Sequence, residues 1–160
     1  MRPEDKKFFK ALPDWQLMGL CIYREASGEP REGKIAVGTV ILERVEHRAW
    51  DGNTIQEVIL MPWQFSWTME KAGLSYYNMS VQIAANFDEE YENNEVLNEC
   101  GKISRGLLQG EIPRDPVLSK AHCCQYLNPV TAKKTRDKWI KAGMKLIKSI
   151  GHHDFFIEAG

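Results

Sequence analysis

The sequence predicts a mainly helical, single-domain protein with a small β-hairpin, and three patterns lead to this prediction. In residues 13–22 and again in residues 32–47, apolar side chains recur every three or four positions, the period of a helix with one buried face. In residues 121–127 and 154–157, aromatic and β-favouring side chains cluster without that period, which favours a hairpin. One domain over residues 1–160 is expected, because a chain of this length can bury about two thirds of its unfolded surface.

The first predicted helix begins at Pro13, and Glu25 continues its apolar face beyond Trp15, Met18 and Ile22. Ser27, Gly28 and Pro30 are expected to end the helix, since the residue before a proline avoids helical angles. A carboxylate on an apolar face loses hydration, which raises its pKa and suits a general acid. The alternative is a structural carboxylate paired with Arg24, Arg31 or Arg44.

The later elements follow from the same periodicities and from turn residues. We expect a helix from Glu32 to His47, terminated by Asp51, Gly52 and Asn53, and then a short helix from Ile55 to Leu60, capped by Thr54 and ended by Pro62. An aromatic loop from Trp63 to Trp67 follows. Further helices are expected over Asn78–Glu92, over Glu95–Gln109, where Gly110 and Pro113 close the helix, and over Thr131–Ile150, between the two hairpin segments.

Composition excludes several classes of protein. The formal net charge of -1 gives no electrostatic footprint for nucleic acid. No run of about eighteen apolar residues is present, so the protein is not expected to span a membrane, and no secretory signal is recognisable, so a cytoplasmic location at synthesis is expected. We expect a monomer without cofactor or metal. Free thiols are expected at Cys21, Cys100, Cys123 and Cys124.

Three chemistries suit the polar residues. In carbohydrate cleavage, Glu25 would protonate a glycosidic oxygen and the aromatic loop would form one wall of a sugar groove. Glu29 is a weaker candidate for a second carboxylate. Zinc binding is less favoured, because adjacent cysteines lack the usual ligand spacing; its candidates are His122, Cys123, Cys124, His152 and His153. Nucleophilic catalysis by Cys123 or Cys124 with a histidine lacks a local signature.

The chain also resembles the spore cortex-lytic type of cell wall hydrolase over residues 14–157. The matching positions are Tyr23, Glu25, Ala26, Gly28, Glu29, Pro30, Glu32, Gly33, Ala36, Val37, Val40, Ile41, Leu42, Arg44, Val45, Val58, Ile59, Gln64, Phe65, Gly110, His122, Asn128, Pro129, Ile150, Gly151, His153 and Phe155. The resemblance implies a lysozyme-like fold related to lytic transglycosylases and cleavage of the β-1,4 bond between N-acetylmuramic acid and N-acetylglucosamine in peptidoglycan. It also implies that Glu25 is the catalytic acid, acting alone.

Four positions depart from the family's pattern. Glu43 stands where an asparagine is usual, Cys123 where a tyrosine is common, Val130 in place of an aromatic residue and Phe156 in place of tyrosine. The predicted site consists of Glu25 as acid and base, with glycan-groove contacts from Gln64, Phe65, Ser66, His122, Tyr126 and His153.

The resemblance, taken with the lack of a recognisable secretory signal, suggests a phage endolysin, which would stay in the cytosol until another protein permeabilises the membrane and would then degrade glycan strands. Three alternatives stay open at this point: a hydrolytic muramidase or glucosaminidase using the same glutamate, a non-catalytic wall-binding module, and a structural protein of a virion or spore.

Overall fold

A computed structural model describes residues 1–48, 50 and 52–158. The helices are α1 (Pro3–Lys10), α2 (Asp14–Ala26), α3 (Arg31–His47), α4 (Ile55–Leu60), α5 (Leu74–Ala85), α6 (Phe87–Asn93), α7 (Glu95–Gln109), α8 (Pro116–Lys120) and α9 (Lys133–Lys141), with single 3-10 turns at Ser66–Thr68 and Glu70–Ala72. The strands are β1 (Gln125–Leu127), β2 (Lys145–Ile150) and β3 (His153–Ile157). The mainly helical fold with a small sheet is therefore confirmed.

Helix α2 lies at the centre of the larger core. Leu17, Met18 and Ile22 are fully buried along it, as the periodicity predicts. The helix packs closely against α7: a Cβ added at Gly19 would lie 3.0 Å from the Cα of Gly101. Because neither contact residue has a side chain beyond hydrogen, the two backbones approach each other at this crossing.

Helix α3 connects the helical core to the sheet. Val37 and Ile41 face the larger core, whereas Ala36 and Val40 join a second buried cluster with Leu118, Cys123 and Phe155. With apolar contacts on two neighbouring faces, α3 packs against both α2 and the sheet. Among the described helices, none combines the length and the apolar character that a bilayer crossing requires.

The sheet has the order β1-β3-β2, and both pairings are antiparallel. The predicted pairing of residues 121–127 with 154–157 is confirmed, with Tyr126 opposite Phe155. The prediction of one helix over Thr131–Ile150 is wrong beyond Lys141. Gly143 adopts a left-handed φ of 84°, and the chain then returns as β2 beside β3.

The remaining predictions agree in part. Helices α2, α3 and α7 match the expected spans, and α7 ends at Gly110 with a left-handed φ of 75°. Thr54 caps α4 as expected, because its hydroxyl accepts a hydrogen bond from the Glu57 amide. The helix predicted over Asn78–Glu92 is interrupted at Asn86, and α1 and α8 were not predicted. Of the residues expected to end α3, Asp51 lies outside the described part of the chain.

Candidate active site

Glu25 lies in the last turn of α2, where the helix meets β1. Its carboxylate oxygen Oε1 accepts a hydrogen bond of 2.5 Å from the hydroxyl of Tyr126, which stands 101 residues later in the chain. The side chain is only partly exposed, and Tyr126 packs against the larger core. The predicted acid and one predicted groove residue are thus in direct contact.

Burial is the main electrostatic influence on Glu25 and raises its pKa above the ordinary value. The hydrogen bond from Tyr126 and the positive charges of Arg44 and Arg24 act in the opposite direction without cancelling that rise. Burial and the neighbouring Glu25 charge also raise the pKa of Tyr126 well above its usual value. Tyr126 therefore stays protonated and donates to the carboxylate, while Glu25 is favoured in its protonated form more than an exposed glutamate is.

Two buried arginines surround this end of α2. Arg44 donates from Nε to the backbone carbonyl of Cys124 at 2.7 Å, which fixes the entry to β1, and its guanidinium carbon lies 5.2 Å from the centre of the Phe65 ring. Arg24 stacks over the ring of Tyr76 at 3.6 Å and donates to the Tyr76 carbonyl at 3.0 Å. Among the described residues, no ion pair joins Glu25 to Arg24, Arg31 or Arg44, although the charges of Arg44 and Arg24 act on it from a longer distance. The structure therefore does not support the alternative of a simple structural salt bridge.

Glu29 has a different environment from Glu25. Its buried carboxylate accepts from the His152 amide at 2.8 Å, lies 3.0 Å from His152 Nδ1 and lies 3.4 Å from His153 Nδ1. Burial alone would raise the pKa of Glu29, but the His152 hydrogen bonds and the two nearby imidazoles bring it below the ordinary value. The close approach of the turn depends on Gly151, since a Cβ there would lie 2.6 Å from Glu29 Oε2. Glu29 thus anchors the turn between β2 and β3.

The aromatic loop presents its side chains in opposite directions. Phe65 and Trp67 are buried in the larger core, whereas Trp63 is 73% exposed and has a left-handed φ of 69°. Phe65 therefore does not offer a ring face for sugar stacking, which corrects its predicted role: its ring lies beneath Arg44 and supports the site from inside. Gln64 is partly exposed and Ser66 is exposed, so their predicted glycan contacts stay predictions.

The two histidines predicted to line the groove, His122 and His153, lie in different surroundings. His153 packs its ring edge against Tyr126, with ring centres 5.0 Å apart, and so contacts the residue that binds Glu25. His122 instead contacts Glu43 and His47. Its place in the groove stays a prediction, and sequence reasoning missed the grouping with His47, although Glu43 and His47 are spaced by one helical turn.

The cysteines form no disulfide, as expected. Cys21, Cys100, Cys123 and Cys124 are buried, and no disulfide joins any two of them. Burial raises the pKa of Cys123 to about 11, which disfavours the reactive thiolate. Its sulfur donates to the carbonyl of Phe156 at 3.2 Å. Within the described residues, His122 groups with Glu43 rather than with the cysteines, so the zinc set considered from sequence does not assemble.

A separate groove of about 790 Å³ lies between α1, α4 and the aromatic loop, with Trp50 and Trp63 at its rim. Glu25 does not line it. A search for the active site by cavity size alone would therefore miss Glu25, the carboxylate whose environment suits acid chemistry.

Comparison with known proteins gives consistent results. A family model described as cell wall hydrolase matches residues 28–156, a segment that begins just after Glu25. The catalytic domain of the germination-specific lytic transglycosylase SleB from Bacillus anthracis is similar to this chain, with 30% sequence identity and a TM-score of 0.61 over 90% of this chain and 93% of that chain. The catalytic domain of the Bacillus cereus SleB protein shows 31% identity and a TM-score of 0.53, over 90% and 89% of the two chains. No curated protein sequence matches.

Proposed function

Since this chain belongs to the cell wall hydrolase family, and is a peptidoglycan-degrading enzyme, we propose that it cleaves the β-1,4 bond between N-acetylmuramic acid and N-acetylglucosamine as a lytic transglycosylase. The observation that supports this most is Glu25: a partly buried carboxylate with a raised pKa, held by Tyr126 at the junction of α2 and β1. The SleB catalytic domain of Bacillus anthracis, which is described as a lytic transglycosylase, has a similar fold.

In the first proposed step, Glu25 acts as the general acid. Its protonated carboxyl gives its proton to the glycosidic oxygen as the bond to the anomeric carbon breaks, and an oxocarbenium-like centre develops. Burial raises the pKa of Glu25 and so favours the protonated form that this step requires. As the carboxylate becomes charged, the Tyr126 hydroxyl and the nearby charges of Arg44 and Arg24 stabilise it.

In the second proposed step, the same carboxylate acts as the base. It accepts the proton of the muramic C6 hydroxyl, whose oxygen attacks the anomeric carbon and closes a 1,6-anhydro ring. No second carboxylate is required for this reaction. The environment of Glu29 supports the single-glutamate scheme, because its oxygens are occupied by His152 and it lies buried in a turn.

A hydrolytic muramidase or glucosaminidase remains the second candidate, since Glu25 would also serve as the acid there. That reaction needs a base that activates water, and among the described residues Glu29 is the carboxylate nearest in sequence. The two candidates differ in their products, because hydrolysis leaves reducing ends and the transglycosylase leaves anhydro ends.

Substitution of Glu25 by glutamine tests the proposal. We expect Glu25→Gln to keep the fold and to lose about 10²- to 10⁴-fold in the rate of peptidoglycan solubilisation, the usual contribution of a positioned acid or base. Glu29→Gln is the matched control: the same substitution at a carboxylate four residues later should retain activity within about tenfold at a temperature where it is folded. Equal losses in both variants, or full activity of Glu25→Gln, would contradict the single-glutamate assignment.

We further propose that the enzyme serves as an endolysin, with peptidoglycan strands as its partner and access to the wall gained after membrane permeabilisation. Cells expressing the chain in the cytosol should then grow intact and lyse when the inner membrane is permeabilised, and cells expressing Glu25→Gln should not lyse. Lysis of wild-type-expressing cells without permeabilisation would contradict this role.

A further inference from the structure

Glu43, His47 and His122 form a cluster that takes no part in the two proposed proton transfers, and we propose that it binds a divalent transition metal, with Zn²⁺ as the best match. The two helical residues lie one turn apart on α3, and His122 approaches from the turn that follows α8. Their ligand-type atoms all lie within 4.8 Å of one another.

The distances fit a single small ion. Glu43 Oε1 lies 2.9 Å from His122 Nδ1 and 3.7 Å from His47 Nε2. Two ligands about 2.0–2.2 Å from a tetrahedral zinc ion are separated by roughly 3.3–3.6 Å, between these two values. A metal ion at Glu43 Oε1 would take the place of the proton that now joins this oxygen to His122.

The two imidazoles must tilt apart to coordinate one ion, because their rings are now stacked with centres 3.9 Å apart and planes 33° apart. Their exposure permits that movement: the His47 side chain is 39% exposed and the His122 side chain is 57% exposed. The Glu43 side chain, by contrast, is 1% exposed. The cluster therefore combines a buried, fixed carboxylate with two exposed imidazoles that can reorient.

The local charge also favours a cation. Arg114 occupies the other oxygen of Glu43, with Nη1 2.5 Å from Oε2, and is shared with Glu46. Arg114 is therefore shared by two carboxylates and alone does not balance their charge. Oε1 of Glu43 remains directed at the imidazoles. A groove of about 380 Å³ adjoins His47 and His122 and gives access for a water molecule as the fourth ligand.

The backbone at His122 also brings its imidazole to Glu43. His122 has a left-handed φ of 50° just after α8, a position that usually takes glycine or asparagine. This conformation places a strongly coordinating imidazole directly over Glu43. A set of two imidazoles and one carboxylate suits Zn²⁺, whereas Ca²⁺ and Mg²⁺ prefer oxygen ligands.

The test is calorimetric titration of the full, chelator-treated chain with ZnCl₂, with MgCl₂ in a parallel titration. We expect one saturable Zn²⁺ site and no comparable Mg²⁺ site. His47→Ala and Glu43→Asn should each weaken Zn²⁺ binding by at least about 10–100-fold, the loss that even the supporting residues of metal sites cause. Glu43→Asn is expected to fold, because the smaller polar side chain needs no additional space at this buried position and Glu46 still binds Arg114.

His152→Ala is the matched control. It removes another exposed histidine, 76% exposed and likewise beside a buried carboxylate, and should bind Zn²⁺ as the wild type does. Circular dichroism establishes that each variant is folded. Absence of a stoichiometric Zn²⁺ site in the wild type would overturn the proposal, as would wild-type affinity in both His47→Ala and Glu43→Asn.

Discussion

Replacing Tyr126 by phenylalanine should move the pH dependence of cleavage. The substitution removes the hydroxyl that donates to Glu25 Oε1 at 2.5 Å and leaves the ring that packs against His153 and Phe155. That hydrogen bond stabilises the charged carboxylate and lowers the pKa of Glu25. Its removal should therefore raise this pKa further.

The size of the effect follows from the strength of the bond. A hydrogen bond to a charged group contributes about 1.5–3 kcal/mol, and about 1.4 kcal/mol corresponds to one pKa unit. Because the proposed mechanism requires protonated Glu25, the alkaline limb of the profile should move upward by roughly 1–2 pH units. The maximal rate should fall, since the carboxylate formed during bond cleavage loses a donor.

The assay is the initial rate of dye release from labelled peptidoglycan at low substrate, where the profile reports the free enzyme. Tyr91→Phe is the matched control, because Tyr91 packs against Trp15 and Phe87 and does not contact Glu25. Its profile should overlay that of the wild type. If the alkaline limb of Tyr126→Phe stays in place or moves to lower pH, the Tyr126 hydroxyl does not lower the pKa of the group that limits activity at high pH.

Three further predictions concern stability. The pKa of Glu25 is raised in the folded state, so the folded protein is most favoured where Glu25 is protonated and loses stability as the pH rises and the buried carboxylate becomes charged. Glu25→Gln, which stays neutral, should therefore melt at a higher temperature than the wild type at pH 7 and at the same temperature at pH 4. A lower melting temperature of the variant at pH 7 would count against this. Glu29 has a lowered pKa, so Glu29→Gln should be less stable at pH 7, with a difference that shrinks as pH falls below about 4 in urea titrations; a constant difference would exclude an ionic origin. Gly19→Ala should lower the free energy of unfolding by about 1–3 kcal/mol in the same titrations, because the added Cβ meets the backbone of Gly101. Gly28→Ala should change it little, because a Cβ there meets nothing within 4 Å. Equal effects of the two substitutions would argue against close packing of α2 on α7.

The sequence predicts those helices in which apolar residues recur at regular spacing, because burial of that apolar face stabilises the helix. Prediction from sequence fails where pairing with a distant strand or a local polar contact determines the secondary structure. The lysines between residues 133 and 148 keep helical spacing, yet Lys145–Ile150 is a strand, because Gly143 turns the chain back beside β3. At Asn86, the side-chain amide donates to the Gln82 carbonyl where one continuous helix was predicted.

The candidate site shows the same division. Glu25 is identifiable from sequence, since it continues an apolar helical face and begins a recognisable motif. Its bond to Tyr126 connects residues that are far apart in the chain, and so does the contact of Glu29 with His152. No local pattern encodes these distances. The direction of Phe65 was equally undetermined, because alternate residues of an extended loop face opposite sides.

In the proposed lytic transglycosylase reaction, Glu25 alone carries both proton transfers. The most direct measurement is mass spectrometry of the muropeptides released from purified peptidoglycan by the wild type and by Glu25→Gln in parallel. We expect 1,6-anhydro-muramic ends from the wild type and no released products from Glu25→Gln. Reducing ends from the wild type would contradict it and would require a base that activates water, and anhydro ends from Glu25→Gln would remove Glu25 from the mechanism.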